Sequence, residues 1–165
     1  MRLASADVAA PFVPDVLARE GSAWVRESTD SMAPLVRAGD RLLLAPIDRR
    51  SLRGGDLVAF RGDARLIVHR VVARGRAGVV TKGDALPSRD TEVPWTELVG
   101  RVVSLTDVRG RVHDLGSPPW SLAGRLVGRL SVLTEAFAAP PERWWRRAGW
   151  VMLRLPVHLF AWLLR

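Results

Sequence analysis

Between residues 23 and 105 the apolar positions come in short runs separated by glycine, aspartate and proline, a pattern of mainly β structure. The runs predict strands over Ala23–Glu27, Arg41–Ala45, Asp56–Arg61, Leu66–Ala73, Gly78–Thr81 and Val99–Leu105. A last hairpin is predicted from Val102–Val108 to Arg111–Leu115 across Arg109-Gly110. Gly-Asp occurs at Gly39-Asp40, Gly55-Asp56 and Gly83-Asp84. The first two lead straight into apolar runs, as turn residues before strands do. The third is followed by Ala85-Leu86-Pro87-Ser88, which is no strand, so Asp84 requires another role.

Gly116-Ser117-Pro118-Pro119 breaks this pattern, and the period changes beyond it. Leu122, Leu126, Leu130, Leu133 and Phe137 follow helical spacing, with Arg125 and Arg129 on another face, until Pro140-Pro141. Over Trp144–Arg165, Arg147, Arg154, His158 and Arg165 fall within about 20° of one helical line, opposite a broad apolar face. The expected fold class is therefore a mainly β domain with two C-terminal amphipathic α-helices. Its divisions are a leader segment (1–22), a β-rich domain (23–116) and a basic, Trp-rich helical appendage (120–165).

Charge sharpens the picture of the appendage. From Trp120 onward seven arginines face two glutamates, a net +5 of the chain's +8. Basic residues interleaved with tryptophan point to an anionic membrane surface and not to nucleic acid. Arg154, Pro156 and His158 lie mid-segment and disfavour a spanning helix, so residues 120–165 are expected to lie on the membrane surface. Residues 1–20 carry Asp7, Pro11 and Pro14 and no long apolar core, so no signal peptide is read there. These features together predict a membrane-associated protein on the cytoplasmic face.

With no cysteine, disulfides, zinc-thiolate sites and Cys nucleophiles are excluded. No second histidine or paired carboxylate stands at ligand spacing to His69, so neither metal nor cofactor is predicted. The stretch Ser28–Asp40 places Ser31 on a turn leaving a strand, where a serine is ordinarily a turn or capping residue. His69 lies in the strand Leu66–Val72, and Asp84 and Asp90 stand in the following loop. A serine, a histidine and an aspartate supply a nucleophile, a base and a group that orients the base.

Ser31-Met32-Ala33-Pro34, Gly39-Asp40, Gly55–Phe60, Val68–Val72, Thr81-Lys82-Gly83-Asp84 and Asp90 follow one another in an order that resembles the signal peptidase I superfamily (S24/S26 serine peptidases). The likeness covers about residues 21–105 and is to the branch with a histidine base, as in the endoplasmic reticulum and archaea. It implies the β-rich fold of signal peptidases and LexA-type proteins. It also implies Ser31 as nucleophile, His69 as general base, Asp90 as triad acid and Asp84 as supporting acid. Thr29 and the Ser31 N–H would form the oxyanion hole, and Met32 would contribute to substrate binding. Lys82 is the only lysine and belongs to the Lys-Gly-Asp motif, so no Ser–Lys dyad can stand at position 69.

The function implied is a serine endopeptidase cutting a peptide or protein precursor. The alternatives are a self-cleaving regulator of the LexA type and a catalytically weak peptide-binding module. Asp30, where that family often has a small residue, places a carboxylate beside the nucleophile.

Overall fold

The computed structural model describes residues 7–62 and 65–135. A 3-10 turn (Ala10–Phe12) and helix α1 (Val13–Glu20) precede eight strands: β1 (Ala23–Arg26), β2 (Arg41–Ala45), β3 (Leu57–Arg61), β4 (Leu66–Arg74), β5 (Gly78–Lys82), β6 (Val93–Pro94), β7 (Leu98–Thr106) and β8 (Val112–Asp114). Helix α2 (Pro118–Glu135) follows them. The strands form one mainly β half-barrel sheet in the order β1-β2-β7-β3-β4-β5-β6, with β8 paired to β7.

One local device introduces both β2 and β3. In Arg37–Asp40, Gly39 takes φ 92° and Asp40 Oδ2 accepts the Arg37 N–H at 2.8 Å. In Arg53–Asp56, Gly55 takes φ 99° and Asp56 Oδ2 accepts the Arg53 N–H at 2.8 Å. Glycine supplies the left-handed turn and the aspartate closes it, so both Gly-Asp pairs end as turn residues.

Helix α1 falls within the expected leader segment (1–22). Pro14 stands in its first turn, where the missing N–H has no intrahelical partner to lose. Gly21, at φ 73°, ends the helix with its N–H on the Leu17 carbonyl. Val13 and Leu17, one turn apart, bury against β1, β2 and β7 in the larger apolar cluster, which also receives Met32, Leu35 and Val36 from the loop after β1. Each such buried side chain contributes about 1.5–3 kcal/mol. A second cluster, Leu52, Val58, Phe60, Val71, Val79 and Val93, sits between β3, β4, β5 and β6.

The fold does not contain two C-terminal amphipathic helices among the described residues. Among the described residues one helix stands at each end of the sheet, α1 before it and α2 after it. The second helix expected over Trp144–Arg165 lies outside the described residues. Helix α2 turns Trp120, Ala123, Val127 and Ser131 into the protein and docks where Gly124 and Gly55 meet backbone to backbone. A Cβ on Gly124 would lie 2.9 Å from the Gly55 carbonyl oxygen. The face that packs is not the expected leucine stripe, since Leu122, Leu126 and Leu133 stay exposed. Among the described residues no helix is long and apolar enough to cross a membrane. The membrane-surface partnership of residues 120–165 and the cytoplasmic-face membrane location are therefore corrected: neither has structural support.

Candidate active site

Strand β4 pairs with β3 and β5, and consecutive side chains on it point to opposite faces. His69 therefore faces one side and Arg70 the other. Both are buried, a placement that polar side chains hold only when partnered.

On the His69 face, Nδ1 lies 2.7 Å from Asp90 Oδ2. That oxygen also accepts the Thr81 hydroxyl at 2.6 Å, and the Asp90 N–H donates to the Thr81 carbonyl at 2.8 Å. Burial pushes the Asp90 carboxyl up, but the hydrogen bonds from His69 and Thr81 and the charges of His69 and Lys82 outweigh it. The net effect holds Asp90 below the ordinary carboxylate value, so at neutral pH it is an anion facing Nδ1. A carboxylate there keeps the proton on Nδ1 and leaves the lone pair on Nε2. Phe60 lies edge-on to the imidazole, with ring centroids 5.9 Å apart, and fixes its plane.

On the Arg70 face, Nε and Nη2 donate to the two oxygens of Asp84 at 2.8 and 2.6 Å, and Nη1 donates to the Gly55 carbonyl at 2.7 Å. Asp84 is thus the partner of the residue after His69, and the His69 ring makes its hydrogen bond with Asp90 instead. Asp84 anchors strand β4, which carries His69, to the loop after β5.

The rest of Lys82–Leu86 serves the same loop. Ala85 N–H donates to the Ser31 carbonyl at 2.8 Å, and a Cβ on Gly83 would stand 2.9 Å from that oxygen. Only glycine permits this approach. Lys82, fully buried, donates from Nζ to the Leu86 carbonyl at 2.7 Å and to Ser131 Oγ of α2 at 2.8 Å. The Lys-Gly-Asp segment therefore ties the Ser31 loop, strand β4 and helix α2 together.

Ser31 lies with Thr29, His69 and Asp90 on one cavity of about 500 Å³, whose apolar wall includes Leu66, Ile67, Val68 and Leu86. Its Oγ is 3.1 Å from Thr29 Oγ1, and its N–H points to the same atom at 3.4 Å. Thr29 in turn gives its N–H to Glu27 Oε1 at 2.9 Å, with its hydroxyl 3.0 Å from that oxygen. The structure thus contains a His69–Asp90 pair with Ser31 in the same cavity. It does not contain a closed Ser–His–Asp hydrogen-bonded chain, because the Ser31 hydroxyl is bonded to Thr29.

Of the two residues flanking Ser31, Asp30 lines the cavity and Met32 does not. The Asp30 carboxylate accepts the Ala38 N–H at 3.0 Å and closes its own turn at the surface. Met32 is fully buried in the larger core cluster, so it props the loop from beneath and does not line the cavity.

Sequence reasoning missed Thr81, Arg70 and Glu27. A buried arginine beside His69 in an apolar strand was the available signal, since such a charge requires an acid. Among the described residues no group of three or more acids and histidines could hold a metal ion. A separate cavity of about 310 Å³, lined by Arg53, Arg70, Arg101, Arg125 and Trp120, contains neither Ser31 nor His69.

No known protein family matches the chain, and no curated protein matches it. The motif resemblance to S24/S26 signal peptidases therefore gains no support from these comparisons. The peptidase family and the Ser-His-Asp triad expected from that resemblance are corrected accordingly, as is the membrane association expected from the basic, Trp-rich stretch.

Proposed function

We propose that the chain is a serine endopeptidase acting on a peptide or protein precursor through an acyl-enzyme. The observation that carries this reading is the 2.7 Å His69–Asp90 pair on the same cavity as Ser31. A histidine oriented by a carboxylate and sharing a cavity with a partly exposed serine is the minimum that acyl transfer needs.

In the first step the Ser31 hydroxyl leaves Thr29 and donates to His69 Nε2. Such bonds often close only around substrate. Ser31 Oγ then attacks the scissile carbonyl carbon while its proton passes to Nε2, and Asp90 stabilises the imidazolium. The C–N bond breaks as Nε2 gives the proton to the leaving amine. Water, deprotonated by His69, attacks the ester carbonyl and releases the acid and the Ser31 hydroxyl. The Ser31 N–H and the Thr29 hydroxyl are the donors nearest the developing oxyanion, once each turns from its present partner.

A second reading is a peptide-binding module without turnover. It is favoured by one observation, the bond between Ser31 and Thr29 in place of one to His69. Fluorogenic peptides separate the two. The peptidase reading predicts cleavage by the native chain and its loss in both Ser31→Ala and His69→Ala, whereas equal cleavage by all three proteins overturns it.

A further inference from the structure

Glu27 ends the run that begins with β1, and its backbone is fixed there. Its N–H donates to the Asp40 carbonyl at 2.9 Å, and its carbonyl accepts the Gly39 N–H at 2.8 Å. The residue is 7 % exposed and still lines the cavity that holds Ser31. Oε1 takes both the N–H and the hydroxyl of Thr29.

A hydroxyl has one proton, and a carboxylate at neutral pH only accepts. The Thr29 proton therefore goes to Glu27, the stronger acceptor, and the 3.1 Å contact between Thr29 and Ser31 uses the Ser31 proton. The Ser31 N–H is drawn to the same oxygen. All three donors that acyl transfer requires, the nucleophile's proton and the two oxyanion donors, thus point inward along one chain that ends on the Glu27 carboxylate.

We propose that Glu27 is a charge-specific latch on Ser31, opened when a positively charged substrate side chain enters the cavity and draws the carboxylate from Thr29. The proposal rests on the peptidase reading and names its substrate class: peptides with a lysine or arginine beside the scissile bond. The cavity favours such a ligand. Among the described lining residues, Glu27, Asp30 and Asp90 stand against Arg65 as the one arginine or lysine. Asp90 is committed to His69 and Thr81, and Asp30 to Ala38. Glu27 is the remaining carboxylate, and pairing it with a cation frees the Thr29 hydroxyl to donate elsewhere. It also removes an uncompensated negative charge from beside the site where the oxyanion forms. A neutral substrate leaves the latch closed.

The test uses two diphenyl phosphonates of the same peptide, one ending in an arginine analogue and one in alanine. Ser31 Oγ attacks phosphorus, phenoxide leaves, and the serine proton passes to His69. Labelling rates are read by intact mass on the full chain and on Glu27→Gln. The Thr29 amide proton resonance supplies a readout that needs no chemistry.

The native chain is expected to label at least about tenfold faster with the arginine probe, a difference of about 1.4 kcal/mol in barrier. In Glu27→Gln that preference falls toward unity, the alanine probe reacts faster than with the native chain, and the Thr29 amide moves upfield. Labelling of Ser31 with no charge preference and no response to Glu27→Gln overturns the latch and leaves the peptidase reading standing. Slower labelling of Glu27→Gln by both probes also overturns the latch, because Glu27 would then assist the nucleophile. An unlabelled Ser31 in both proteins overturns the peptidase reading and the latch with it.

Discussion

Replacing Asp84 by asparagine removes one charge from an ion pair whose side chains are only 4 % (Arg70) and 1 % (Asp84) exposed. The native pair is bidentate, at 2.8 and 2.6 Å, so the substitution leaves Arg70 buried with its charge uncompensated. Breaking a buried pair from one side costs about 3–5 kcal/mol. At about 2–4 °C per kcal/mol for a chain of this size, the melting temperature should fall by roughly 6–20 °C. Circular dichroism melts measure this directly. Because Asp84 acts through Arg70 and not on the His69 ring, protein held well below its melting point should still label Ser31 within about tenfold of the native rate. The double variant Arg70→Met/Asp84→Leu should be less destabilised than the sum of the two single variants, as coupled partners are. A melting temperature within about 2 °C of native, combined with abolished labelling, would refute this assignment. It would place Asp84 in the chemistry instead of beneath it.

Other outcomes follow from the same contacts. Asp90→Asn removes the charge that fixes the His69 tautomer, and an amide facing Nδ1 can donate to it and reverse the ring's protonation; Ser31 labelling should fall about 10³–10⁴-fold with little change in melting temperature. Gly124→Ala forces a Cβ to 2.9 Å from the Gly55 oxygen and should cost about 1–3 kcal/mol, read by thermal melts and Trp120 fluorescence. Gly128→Ala, whose Cβ would meet Arg70 Cδ at 3.4 Å, should be tolerated. Burial raises the Asp107 carboxyl, but the Arg111 N–H and guanidinium and the Arg109 N–H more than offset this and hold it at about 2 against 3.8. Its folded pKa lies below its unfolded one, so its contribution to stability is present above about pH 4 and lost as pH falls toward 2. Asp107→Asn should flatten the stability curve across that window in acid melts.

What the sequence made legible was local. The two turns at Gly39-Asp40 and Gly55-Asp56 repeat one four-residue device, and the strands that follow are apolar runs, so a window of ten residues contains the information. Strand β6, two residues ending in Pro94, is too short to leave a period. Helix α2 buries a face that its leucine period does not mark: Leu122, Leu126 and Leu133 stay exposed, because the close Gly124–Gly55 approach sets the docked side. Trp120, Ala123 and Val127 face protein. At the site, residue types offered an aspartate of the 84–90 loop to His69 without choosing between Asp84 and Asp90; only the resemblance named Asp90, which lies 2.7 Å from Nδ1. That Asp84 serves Arg70 depends on the crossing of β4 and β5, and that Glu27 captures Thr29 depends on a loop conformation; neither is written in spacing.

The central claim is that Ser31 is a nucleophile activated by His69, and intact-mass spectrometry after exposure to a neutral fluorophosphonate tests it most directly. The account predicts a single phosphonyl adduct that maps to Ser31 in the native chain, is absent in Ser31→Ala and is strongly slowed in His69→Ala. Native protein that stays unmodified, or an adduct that forms equally fast without His69, would contradict it.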